Sequence, residues 1–161
     1  MRVALGDLRL QRIVPSLTHG WPKLRVESTP LRCTPKRLHQ ELAGGKFEDV
    51  IIDEAHDPLN EHPFKGNIDI SKLDRLVKKH GAKKIPYVCL ATNVNLAGGQ
   101  PVSMANLKEL RAYTAKHGIR IIHDMTRVAE NAYFIRQREK GYKRRSIASI
   151  VKEICSYTDG A

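Results

Sequence analysis

The sequence predicts an α/β fold built from parallel βαβ units with flanking helices. Three observations carry this. Short, apolar, β-branched runs recur at residues 49–53, 85–91 and 119–123. Segments of helical length and helical periodicity separate them. The runs are too continuous in apolar character for a half-solvated antiparallel strand, so they read as buried parallel strands joined by crossover helices.

The elements follow in chain order. Up to Pro35 the chain has four prolines (Pro15, Pro22, Pro30 and Pro35) and no sustained period, so little organised structure is expected there. Asp49-Val-Ile-Ile-Asp53, entered from Glu48, is the first expected strand. A polar loop with Pro58, Pro63 and Gly66 leads to Ser71–His80, where Leu73, Leu76 and Val77 share one helical face and Gly81 supplies a stop. Ile85–Ala91 is the second strand, with Pro86 tolerable at its start. Pro101 and Ser103 open a helix carrying Met104, Leu107 and Leu110 on one face and ending at Gly118. Ile119–His123 is the third strand. Two more helices are expected, one from near Arg127 to about Lys140 and one from Ser146 through Tyr157, with Ile147, Ile150, Val151 and Ile154 at helical spacing.

Composition bounds the function classes. A hydrophobic content of 41% and a charged content of 28% belong to a globular chain, and 161 residues suffice for one core. No apolar run approaches the roughly 20 residues needed to cross a bilayer, and residues 1–7 lack the apolar centre of a secretory signal, so a cytoplasmic location is expected. Cys33, Cys89 and Cys155 are far apart and form no Cys-x-x-Cys, which argues against a disulfide framework and a zinc site. The net charge of +11 favours a polyanionic partner, making a basic nucleic-acid-binding module a competing reading. Much of that excess lies in the first 37 residues and between Arg136 and Arg145, the latter expected to be a solvated face.

Val50-Ile-Ile-Asp-Glu-Ala-His56 spells a strand followed by the Mg²⁺-binding signature of DEAH-type helicases. That chemistry requires an upstream phosphate loop, and Gly44-Gly-Lys-Phe47 fails as one: Phe47 stands where a hydroxyl is needed. Asp53, His56 and Asp57 also invite a metal reading, against which a polar loop at a strand end is the plainer account. The more informative pair of segments is Asn95–Asn106 and His123–Phe134, each beginning where an expected strand ends. Asp124 and Arg127 then place a carboxylate and a guanidinium where one ligand can meet both.

From about Arg37 to Ala161 the sequence resembles tryptophanase and tyrosine phenol-lyase, the β-eliminating lyases that use pyridoxal 5′-phosphate (PLP). The matching blocks are Arg37-Leu-His-Gln-Glu41, Asp53-Glu-Ala-His-Asp57, Pro63-Phe-Lys-Gly66, Asn95-Leu-Ala-Gly-Gly-Gln-Pro-Val-Ser103 and Glu130-Asn-Ala-Tyr-Phe134. The resemblance implies a partial aminotransferase-like large domain (PLP fold type I) over 37–161, with residues 1–36 a poorly ordered segment outside it. It implies that Asp124 pairs with the pyridine nitrogen and that Arg127 and Asn95 hydrogen-bond the phenolic oxygen of the cofactor. It implies β-elimination of tryptophan or tyrosine to indole or phenol with pyruvate and ammonia, in a homotetramer, with no metal.

Two departures shape the expectation. The family's Schiff-base lysine follows the region matching Ser156–Ala161, so no counterpart is present, and Lys65 and Lys152 lie outside the required motif. Where the family stacks an aromatic ring on the cofactor, this sequence has Cys33-Thr-Pro-Lys36. The segment before Arg37 is therefore expected to be read out of frame, or else to be an alternative N-terminus. The chain is expected to be inactive alone and its assembly incomplete, with a non-catalytic PLP-binding remnant as the alternative to a lyase.

Overall fold

A computed structural model describes residues 24–27, 46–93 and 98–161. Four strands, β1 (Leu24–Glu27), β2 (Lys46–Asp49), β3 (Tyr87–Ala91) and β4 (Arg120–Asp124), form one sheet in the order β2-β1-β3-β4. Every strand pair in it is parallel. Four helices accompany them: α1 (Ile70–His80), α2 (Met104–His117), α3 (Val128–Arg138) and α4 (Ile147–Ser156). This is the α/β class expected from the alternation of apolar runs and helical segments.

Two expectations are corrected. Leu24–Glu27 is a strand, paired in parallel with both β2 and β3, inside the stretch expected to lack organised structure. The prolines at 22 and 30 flank it and do not interrupt it. The strand expected at 49–53 lies earlier, at Lys46–Asp49. Val50 and Ile51 are fully buried but leave the sheet, Ile51 forming an isolated antiparallel bridge with Ile68, and Asp53–His56 turns as a 3-10 helix. The apolar run marked burial correctly, and burial against α1 rather than sheet pairing explains it: Lys72 of that helix donates to the Ile51 carbonyl at 2.6 Å.

Helix boundaries follow their caps. Asp69 accepts from the backbone N–H of Ser71 and Lys72 at 2.8 and 3.1 Å, and Gly81 ends α1 at φ 83°. At α2 three of the orphan N–H donors are taken: Ser103 Oγ accepts from Asn106, and the Glu139 carboxylate accepts from Met104 and Ala105 at 2.7 and 2.8 Å. Gly118 closes that helix in the left-handed region. Ser146 caps α4 through the Ser149 N–H at 3.2 Å.

The core lies between the sheet and the helices. Val88 and Leu90 of β3 and Ile121 of β4 pack with Leu107 and Leu110 of α2, Ile135 of α3 and Ile150 and Ile154 of α4. Residues Tyr87 to Leu90 are all buried, as a strand covered on both faces requires. Beyond α4 the chain returns to β4: Asp159 N–H donates to the Ile121 carbonyl at 2.8 Å, and its carboxylate takes a bidentate pair of bonds from Arg111 at 2.7 and 2.8 Å. Gly160 then bridges Ile122 in parallel. No helix among the described residues is long and apolar enough to cross a membrane.

Candidate functional site

The carboxyl ends of β3 and β4 lie side by side, with Ala91 paired to Asp124. Asp124 is the last residue of β4, and its Oδ1 accepts from the Thr126 backbone N–H at 3.2 Å and from the Thr126 hydroxyl at 2.5 Å. This Asx-type turn fixes the carboxylate as the chain leaves the sheet. From β3, the Thr92 hydroxyl donates to the Asp124 carbonyl at 3.1 Å, so the backbone beneath the carboxylate is tied to the neighbouring strand.

His123 supports the same point from the opposite side of the strand. Its ring is buried and its Nε2 lies 3.1 Å from Thr92 Oγ1. Because the Thr92 proton is given to the Asp124 carbonyl, Nε2 is the donor to the hydroxyl, and Nδ1 is left as an acceptor without a partner among the described residues. Burial pushes the imidazole down to about 4, although the Asp124 carboxylate pulls the other way. The ring is therefore neutral at pH 7.

Arg127 occupies the position just before α3. Its Nε lies 3.1 Å from Glu130 Oε2, one turn along. The same oxygen accepts from Asn93 Nδ2 at 3.3 Å. Asn93 is buried at the exit of β3 and has φ 56°, a left-handed conformation that asparagine tolerates better than most residues. Gly98 and Gly99 follow at φ 78° and 73°, and a Cβ built on Gly99 would come within 3.4 Å of Arg127 Nη1. The guanidinium thus has Gly99 near Nη1 and a carboxylate at Nε.

An open cleft of about 630 Å³ borders this group, walled by Gly98, Gly99, Arg127, Glu130, Tyr133 and Phe134. Asp124 is not one of its lining residues. Arg127 is the element common to the cleft and to the strand-end turn.

Asparagine side chains hold the surrounding loops. Asn131, fully buried, accepts from the Val102 N–H at 2.8 Å and donates to the Val102 carbonyl at 3.0 Å. Asn106 makes the same two-way bond to Ile68 at 2.8 and 2.9 Å, and Asn67 Oδ1 accepts from the Ser103 N–H. Gly66 closes the arrangement, its N–H donating to the Pro101 carbonyl at 2.9 Å where a Cβ would meet the Gln100 carbonyl oxygen at 2.6 Å.

Of the residues singled out from sequence, Asp124 and Arg127 stand at adjoining ends of β4 and α3. Asn95 lies outside the described residues, as do Cys33 and the block at 37–41. Lys65 is buried and donates to the Asp57 carbonyl at 2.7 Å, while Lys152 is exposed on α4. Asp53 is paired with Lys72 at 2.5 Å, and no metal-holding cluster of His, Cys, Asp or Glu exists among the described residues. Sequence reasoning assigned no individual site role to Thr92, Asn93, His123 or Glu130. For Thr92, Asn93 and His123 the available signal was a polar residue within or just beyond an apolar run, which must find a partner when buried; Glu130, exposed on α3, carries no such signal.

Residues 32–161 match the family model described as Beta-eliminating lyase. The chain is similar to the tyrosine phenol-lyase of Nostoc punctiforme, with 59% identity over 127 residues, covering 79% of this chain and 27% of that protein. It is similarly related to the tyrosine phenol-lyases of Symbiobacterium thermophilum (59% over 127 residues, 79% of this chain and 28% of that protein) and Clostridium tetani (59% over 128 residues, 80% and 28%). It spans little more than a quarter of the length of these curated relatives.

Proposed function

We propose that this chain, which belongs to the beta-eliminating lyase family, carries one wall of a pyridoxal 5′-phosphate site serving β-elimination of an aromatic amino acid. The observation that supports this most strongly is an oriented carboxylate, Asp124, followed within one turn by an anchored guanidinium, Arg127. The donor set fits the cofactor. Asp124 is an acceptor suited to a protonated pyridine nitrogen, and Arg127 offers a planar fork of donors suited to a phenolic oxygen. Asn95 is assigned to the same oxygen on the strength of its sequence block.

When bound, the cofactor supplies a ring that draws electrons from the substrate α-carbon. Asp124 holds a proton on the ring nitrogen, and Thr126 holds Asp124 in the orientation that this requires. Neutral His123, behind the strand, adds no positive charge to compete for that carboxylate. Arg127 stabilises negative charge on the phenolic oxygen. Tyrosine, giving phenol, pyruvate and ammonia, is the proposed substrate because the similar relatives carry the name tyrosine phenol-lyase. A homotetramer in the cytoplasm is the setting that the family reading implies.

Among the described residues, no lysine lines the cleft. The part proposed for this chain is therefore to bind and orient the cofactor, without turnover by the chain alone. Pyridoxine 5′-phosphate lacks the aldehyde and so reports binding without attachment to a lysine. In a calorimetric titration the chain is expected to bind it, and Asp124→Ala or Arg127→Ala to weaken binding about tenfold or more, the worth of a charge-assisted hydrogen bond. Equal binding by parent and both variants would contradict the proposal.

A further inference from the structure

Glu130 is an exposed carboxylate on the first turn of α3, with half of its side chain in solvent, and an ion pair so exposed contributes little to folding. Its placement is nevertheless specific. One oxygen, Oε2, meets Arg127 Nε at 3.1 Å and Asn93 Nδ2 at 3.3 Å. Asn93 is 95% buried and held at φ 56° at the exit of β3, so the carboxylate is anchored to the sheet rather than to its own helix alone. Gly99, at φ 73°, lies beside the same guanidinium: a Cβ built on it would stand 3.4 Å from Nη1, at ordinary contact distance.

An arginine side chain has many rotamers, and ordering them on ligand binding costs affinity. Here Nε is paired with the Glu130 carboxylate at 3.1 Å and Nη1 faces Gly99, so the guanidinium already has a charged partner before any ligand arrives. Arg127 also stands where the other three helices carry Asp or Ser as a capping side chain; it makes no cap bond of its own. The Glu130 carboxylate, one turn along, is paired with it.

We propose that Glu130 is a positioning residue: through Nε it aims the terminal nitrogens of Arg127 at the phenolic oxygen of a bound 3-hydroxypyridine ligand, with Asn93 as its anchor. This rests on the PLP reading above. A charge-only role predicts the opposite sign from a positioning role. As a bare negative charge, Glu130 raises the pKa of a nearby phenol, so removing it lowers that pKa. As the group that aims Arg127, it lowers the phenol pKa, so removing it raises the value toward that of free ligand.

Two measurements on the chain decide the matter. In the ligand-free protein, the Arg127 Nε–H resonance, assigned by its loss in Arg127→Lys, is expected to be protected from solvent exchange. That protection should fall about tenfold in Glu130→Ala and persist in Glu130→Gln, whose amide oxygen can accept from Nε at the same place. With pyridoxine 5′-phosphate bound, Glu130→Ala is expected to weaken affinity about tenfold and move the phenolic absorbance titration upward, whereas Glu130→Gln holds both near the parent values. Unchanged protection in Glu130→Ala, or a phenolic titration that moves downward, overturns the proposal. If the parent chain binds no pyridoxine 5′-phosphate, the PLP reading fails, and the Nε–H exchange alone decides whether Glu130 orders Arg127.

Discussion

At the scale of single residues, the strand-end site depends on groups that carry no charge of their own. Thr92 and His123 form a relay of hydrogen bonds that ends on the Asp124 carbonyl, and burial of the ring keeps the imidazole in it neutral. The unfolded chain binds a proton at His123 near its ordinary 6.5, and burial lowers that to about 4 in the folded state. Between these values the unfolded state holds more protons, so this contribution is fully present above pH 6.5 and is lost as the pH falls toward 4. The full span corresponds to about 3 kcal/mol. Urea unfolding followed from pH 7 to pH 4 should show that loss, and His123→Gln should flatten it; an unaltered slope in the variant would place the acid sensitivity elsewhere. The places of Asp124 and Arg127, at the end of β4 and the start of α3, were legible in the sequence because charged residues just after an apolar run stand out. The meeting of Glu130 and Asn93 was not, because it arises where the exit of β3 comes up against the first turn of α3, and local spacing does not encode that contact.

At the scale of elements, helices were read nearly to the residue because most of their ends carry chemical signals: Gly81, Ser103 and Gly118, Ser146; the Asp69 cap of α1 went unread. Strands were read less well. The run at 49–53 announces burial but not pairing, and Leu24–Glu27 is too short to show a period, so its strand character emerges only from its two neighbours. The loop that enters α2 was visible as a glycine–proline segment, but what holds it was not: Asn131 lies on the buried face of α3 and clasps Val102 through both its amide atoms. Asn131→Ala leaves that N–H and carbonyl buried without partners and opens a small void. It should therefore cost about 2–4 kcal/mol in denaturant unfolding. A loss below about 0.5 kcal/mol, the range of an ordinary surface substitution, would mean that the loop is held by other contacts.

At the scale of the whole molecule, the parallel order β2-β1-β3-β4 brings the exits of β3 and β4 together, where an open α/β sheet presents its ligand groups. The Arg111–Asp159 pair returns residues 159–160 to β4 and braces the strand that carries Asp124. The chain matches the beta-eliminating lyases over residues 32–161 while covering 27% of the length of the Nostoc punctiforme relative. What it is proposed to contribute is accordingly a binding wall, and the proposal turns on the proton that Asp124 keeps on the ring nitrogen. The most direct test is the ¹⁵N shift of ring-labelled pyridoxine 5′-phosphate bound to the chain, followed with rising pH. The account predicts a ring nitrogen that stays protonated well above the pH at which free ligand loses its proton, and that loses this advantage in Asp124→Ala. A bound ring nitrogen that titrates as it does in free solution, in parent and variant alike, would contradict it.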